Sequence, residues 1–218
     1  MNSKIFFTVI ASLIFMSGVF AQIPVEVFAG DKKTSFDLMF FKYFKNKEAV
    51  NSKFLFFNRN RVNLDYRQTS TTYLPVFGFT EAVSYNHSKW KGFAPVIVAQ
   101  INNFGIYPKA GVQYFHRKSD FTFFSWVVCE TLKDPNLDLF VLTRYEPKLT
   151  DKLNLFTQLE LVNAFPTENN ANYNLIQRVR LGFKIKEWQF GFGADFNEVG
   201  NKTFVNTTNI GGFLRHEF

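Results

Sequence analysis

Basic side chains recur along this chain at even spacings: Arg59 and Arg61, Lys109 and Arg117, then Arg178, Arg180 and Lys184, with Arg144 between the last two groups. In an extended strand such spacing puts all members of a group on one face. A face of fixed positive charge favours anionic or polar solutes, because rings of Arg and Lys select by charge. Asp65, Glu160 and Asp195 fall on the same period and could either share that face with the bases or neutralise them. Other chemistry is sparse. The three histidines are His87, His116 and His216. His87 precedes Ser88, a base beside a potential nucleophile for ester hydrolysis, yet adjacent residues in a strand or turn point apart. No cluster of His, Cys and carboxylate has metal-ligand spacing, and no glycine loop is built to cradle phosphate. Gly191 and Gly193 read as a place where strands bend or pack closely. Neither a metal nor a cofactor is expected.

The elements that carry these residues are strands. Val25 and Val27 alternate with Glu26, and Val62, Leu64 and Tyr66 oppose Arg59, Arg61, Asn63 and Asp65. Ile106, Ala110, Val112 and Tyr114 oppose Lys109, Gly111, Gln113 and Arg117. The pattern is clearest late in the chain. There Leu175, Val179, Leu181 and Phe183 oppose Asn174, Arg178, Arg180, Gly182 and Lys184, while Trp188, Phe190, Phe192 and Phe196 oppose Gln189, Gly191, Gly193, Asp195 and Asn197. Period two over so many segments predicts an all-β chain with no sustained helix. The segment 120–130 is apolar on both faces, so the pattern leaves its orientation open. Twelve strands are counted with the short first one and eleven without it. Even numbers are the rule for single-chain bacterial barrels, so twelve is expected, with ten as the fallback.

Composition says which kind of β protein this is. The chain has 218 residues, 30 of them Phe, and one cysteine, Cys129, which cannot form an internal disulfide. Bulky aromatics crowd the apolar face while Gly, Arg, Gln and Asn occupy the other, as a lipid-facing wall and a wet lumen require. A sheet over a soluble core would also alternate, but that many aromatics on a water-exposed surface would make the protein adhesive. The net charge of +7 does not indicate nucleic acid, because period-two placement scatters the bases around a wall instead of gathering them in a patch. Residues 1–21, with Lys4, an apolar run from Ile5 to Phe15 and a small-residue ending at Ala21, read as a cleaved signal peptide. The run is short for a transmembrane helix.

The last strand ends on an aromatic residue, with Ile210, Leu214 and Phe218 on one face. It resembles the closing strand of Gram-negative outer-membrane β-barrels, which the barrel-assembly machinery recognises. The resemblance implies a transmembrane antiparallel up-and-down β-barrel over residues 22–218, a single domain in the cell outer membrane. Its partners would be the lipid bilayer and that assembly machinery, and a monomer is expected. Size, short turns and strand number are similar to those of the nucleoside-specific channel superfamily. That layout implies a channel for small polar solutes, with Phe140 and Phe156 on the inner face either stacking on a planar solute or simply packing.

The lumen-lining candidates are therefore Arg59, Arg61, Asp65, Lys109, Arg117, Arg144, Glu160, Arg178, Arg180, Lys184 and Asp195. Bases outnumber acids, which favours passage of small polar or anionic solutes. Two alternatives remain: a closed structural or partner-binding barrel in which the bases pair with Glu160, Asp65 and Asp195, or an outer-membrane lipid esterase at His87 and Ser88. Longer loops are expected at the end away from the termini, at 67–72, 166–172 and 198–206. Trp90, Trp126, Trp188, Tyr43, Tyr66, Tyr114 and Tyr145 are expected in the interfacial girdles.

Overall fold

The computed structural model describes residues 23–67, 75–132, 136–168 and 170–218; the expected signal peptide lies outside them. The strands run in chain order as β1 (Pro24–Gly30), β2 (Lys33–Lys45), β3 (Asn51–Asp65), β4 (Val76–Tyr85), β5 (Phe93–Asn102) and β6 (Gly105–Arg117). They continue as β7 (Phe121–Glu130), β8 (Leu137–Tyr145), β9 (Asn154–Phe165), β10 (Tyr173–Ile185), β11 (Trp188–Gly200) and β12 (Phe204–Glu217). Each pairs antiparallel with its sequence neighbours, and β1 closes on β12 with Pro24 opposite Glu217 and Gly30 opposite Gly211. The result is a closed twelve-stranded up-and-down barrel. Closure leaves no unpaired edge, so every strand satisfies its backbone on both sides. Ile23 and Phe218 lie together at one end, called here the terminal end; the other is the far end.

The registers divide the residues into two faces. Outward stand Phe36, Phe54, Phe79, Ile97, Ile106, Val112, Leu181, Phe192, Ile210 and Leu214, all exposed, with Phe192 at 80% and Ile97 at 67%. A band this apolar around a closed barrel suits lipid rather than water. One polar stripe interrupts it. Asn58 donates to Glu81, and Asn60 donates to Asn58 Oδ1 at 3.3 Å; all three side chains share the outward register of β3 and β4.

Inward stand two kinds of wall. Across β2 to β8, the buried residues Met39, Phe57, Ala82, Val96, Val98, Phe124, Trp126, Val128, Phe140 and Leu142 form one apolar cluster. From β9 round to β1 and along the inner positions Asp37, Arg59 and Arg61 of β2 and β3 the inner face is largely polar and charged, with Phe28, Phe156 and Phe213 as a second, smaller apolar cluster. The segment whose orientation periodicity left open is decided by pairing. Trp126 lies opposite Gln113 and Phe140, which puts Phe124, Trp126 and Val128 inside.

Three expectations are corrected. Trp126 is not a girdle residue but a buried inner one, and Tyr43 also faces inward, opposite Leu55 on the inner register. The segment 198–206 is not a long loop, because β11 continues to Gly200 and β12 starts at Phe204, with Val199 opposite Val205. Nor do long connections collect at the far end. The expected loop 67–72 lies, but for Arg67, outside the described residues; the far end joins strands across 66–75, 131–136 and 166–172 in sequence but also by the tight turns 31–32 and 103–104, while the terminal end carries 86–92 and 146–153. The tight connection at Lys186–Glu187 is at the terminal end as expected, with Lys186 in the left-handed region at φ 53°.

Candidate functional site

The polar side of the interior is organised by four arginines and four carboxylates drawn from six strands. Arg59 and Arg61, two apart on β3, both reach Asp37 on the neighbouring β2, at 2.5 and 3.1 Å. They also cross the lumen, Arg59 to Glu160 on β9 at 2.7 Å and Arg61 to Asp195 on β11 at 2.9 Å. From the opposite wall, Arg178 on β10 pairs with Glu160, while Arg180 bridges Asp195 at 2.8 Å and Glu26 on β1 at 3.0 Å. Arg180 lies over the Phe28 ring, 3.9 Å from its centroid, an arrangement in which the ring face attracts the cation. Gly193 makes room for it: a Cβ there would come within 2.7 Å of Arg180 Cδ. Charges this buried are tolerable only because each guanidinium has carboxylate oxygens to donate to.

A second polar layer stands nearer the terminal end. Arg144 donates through Nε and Nη2 to Gln158 Oε1, at 3.1 and 2.9 Å, and Arg215 donates through Nη1 to the same oxygen at 3.2 Å. One layer beyond, Lys184 holds both Glu146, at 3.2 Å, and Glu217, at 2.9 Å.

The aromatic side fills its half of the section. Phe57 stacks on Phe124 at 5.3 Å and meets Trp126 edge-on at 5.1 Å; Phe41 stacks on Phe115 at 5.1 Å, and Trp126 lies 5.2 Å from Phe140. Because these rings join β3 to β7 and β8 directly, they bridge the interior just as the Arg59–Glu160 pair does. Two spaces lie along the interior. One, about 60 Å³, lies between Arg59, Lys109, Asp138, Gln100 and the rings of Phe57 and Trp126. That is room for about two waters. The other, about 340 Å³, opens at the terminal end beside Phe41, Tyr43, Leu55, Phe115 and Arg117.

All eleven residues singled out from the sequence occupy the inward register. Six of them, Arg59, Arg61, Glu160, Arg178, Arg180 and Asp195, meet in the central network. Arg144 and Lys184 belong to the layers nearer the terminal end. Lys109 pairs with Asp138 beside the smaller cavity, and Arg117 is at the terminal mouth. Asp65 is not brought to the bases; it stands at the far rim and accepts the Arg67 N–H at 2.8 Å. Sequence reasoning missed Asp37, Glu26 and Arg215. Asp37 could have been found, since Ser35, Asp37 and Met39 alternate with Phe36, Leu38 and Phe40.

Among the described residues no group of His, Cys, Asp and Glu could hold a metal. His87 caps a short 3-10 helix (Ser88–Trp90), accepting the Lys89 N–H at Nδ1, and its ring lies 5.7 Å from that of Trp90. The His87–Ser88 pair therefore belongs to a capped connection at the terminal end, outside the barrel wall. Ile210, Leu214 and Phe218 all face outward and are exposed.

A solved structure titled KdgM porin in complex with disordered oligogalacturonate superimposes on 90% of this chain and 99% of its own, with a TM-score of 0.51 and 14% identity. The two share the fold of a closed antiparallel barrel. A second KdgM porin structure matches over the same share of this chain with a TM-score of 0.48 and 15% identity. No protein-family model and no curated protein sequence matches the chain. At this identity the likeness concerns strand number, closure and connectivity, not side chains.

Proposed function

We propose that this barrel is an outer-membrane channel for small polar or anionic solutes, with its termini on the periplasmic side. The observation that carries the reading is the concentration of guanidinium groups on the inner wall of a porin-type barrel, where charged side chains select by sign. The shared fold supports it, since the KdgM porin structure holds an oligogalacturonate, a chain of sugar carboxylates. In the arrangement described, an entering anion competes with Glu160 and Asp195 for Arg59, Arg61, Arg178 and Arg180, so solute exchanges for an internal partner instead of crossing an empty pore. Export by a cleaved signal peptide, assembly through the outward Ile210, Leu214 and Phe218, and a monomeric state complete the proposal. The finer likeness to nucleoside-specific channels would need an inner ring free to stack on a base. Phe156 packs on Phe213, and Phe140 lies within the aromatic cluster, so small anions suit the wall better.

A second reading is favoured by one observation: rings and ion pairs bridge the section, as in a closed structural barrel. Single-channel recording of refolded protein in a planar bilayer separates the two. The channel reading expects a small, steady, anion-preferring conductance that loses its preference in Arg178→Ala/Arg180→Ala. Silence from folded wild type, and equally from Arg59→Ala and Phe57→Ala, would establish the closed barrel.

A further inference from the structure

Of the inward arginines away from the barrel mouth, Arg144 and Arg215 are the two without a carboxylate partner among the described residues; Arg117, which has none either, is exposed at the terminal mouth. No ion pair involves either of them among the described residues, and both donate to one neutral oxygen, Gln158 Oε1. Three N–H groups converge there on two lone pairs. The carboxylates nearby pair with other bases, Glu146 through Oε2 and Glu217 with Lys184, and Glu26 with Arg180; Glu146 Oε1 has no partner but forms no ion pair with either arginine. Arg215 is 3% exposed, and its Nε and Nη2 have no hydrogen-bond partner. Those two atoms form the side edge of the guanidinium, the fork that takes the two oxygens of a carboxylate in parallel. Both guanidinium carbons sit over the same ring, 5.8 and 5.7 Å from the Phe156 centroid. Two neighbouring like charges, Arg144 half-buried and Arg215 buried with its bidentate edge unused, make a site that lacks its counter-ion. In the central network a carboxylate supplies it.

We infer that Arg144 and Arg215, with Gln158 and the Phe156 ring, form a carboxylate-binding subsite of the inner wall. The carboxylate lies along the Nε and Nη2 edge of Arg215 and within reach of Arg144, over the aromatic ring. It enters from the terminal end past Lys184, Glu146 and Glu217, whose pairs are partly solvated and yield more easily than the central network. The inference deepens the channel reading and rests on it for the solute's route, but binding itself can be measured without transport.

Saturation-transfer NMR of acetate on the full chain, refolded in detergent, tests it, with sulfate at equal ionic strength as competitor. Arg215→Lys keeps the charge and removes the fork. Binding of acetate by wild type that weakens about ten-fold or more in Arg215→Lys, roughly the loss of one charge-assisted hydrogen bond, supports the site; unchanged binding overturns it, as does its absence in wild type. Displacement by sulfate as strong as by acetate itself also overturns the carboxylate assignment, leaving a general anion effect. If Arg215→Lys does not fold, Arg144→Lys is read in the same way. The outcomes separate from those of the conductance experiment: a conducting barrel that does not bind acetate loses the subsite and keeps the channel, and a silent one that binds it does the reverse.

Discussion

The two halves of the barrel interior face the same problem, filling a narrow lumen, and solve it with opposite chemistry. Between β2 and β8 the inner wall is aromatic, and Phe57, Phe124, Trp126 and Phe140 interlock at centroid distances of 5.1 to 5.9 Å. Between β8 and β3 it is ionic, with Arg59, Arg61, Arg178 and Arg180 woven among Asp37, Glu160, Asp195 and Glu26. Dispersion is non-directional and tolerates substitution of similar volume. Buried ion pairs are intolerant: losing one partner strands a charge. The aromatic half can thus be varied with small losses, whereas the ionic half stands or falls as a unit and is where a charged solute would act.

That contrast is breakable. The largest effect is expected from Glu160→Ala, which leaves Arg59 and Arg178 short of a partner and should cost about 3–5 kcal/mol, read as a lower urea midpoint in detergent-refolded protein. If it costs no more than a conservative aromatic change, the ionic half is not a coupled unit. Gly193→Ala should come next, at about 1–3 kcal/mol, because the new methyl group collides with Arg180 and overpacks the wall. Its signature is that Arg180→Ala in the same chain recovers part of the loss, a non-additivity measurable by a double-mutant cycle. Phe124→Leu should cost about 1–2 kcal/mol, the ring contacts being partly replaced by aliphatic ones, with ion selectivity unchanged in bilayer recordings. The smallest effect belongs to salt. Raising ionic strength should weaken the partly exposed Lys184 pairs with Glu146 and Glu217 before the Arg59–Glu160 pair, so Lys184→Met should lose its effect on stability at high salt while Glu160→Ala keeps its own.

Much of this was legible before the coordinates. Alternation placed Arg59, Arg61, Arg178, Arg180 and Asp195 on one face, and the apolar segment 120–130 became β7 to within a residue. What alternation could not do is say which acid meets which base. Asp65 has the right parity and stands at the rim; Asp37, alternating in sequence with the outward Phe36, Leu38 and Phe40, is the acid that Arg59 and Arg61 share. Trp126 shows the same limit, since β7 is apolar on both faces and only its register against β6 and β8 turns the indole inward.

By itself the sequence determined the strands, their two faces and the chemical character of each, because a strand's side chains alternate through local geometry that needs no partner. The tertiary structure decided everything that crosses the lumen. Arg180 and Glu26 are 154 residues apart, and Arg61 and Asp195 are 134 apart. They meet only because β1 closes on β12 and draws the two walls within side-chain reach. Closure also determines which arginines obtain a carboxylate and which, like Arg144 and Arg215, are left to share an amide oxygen.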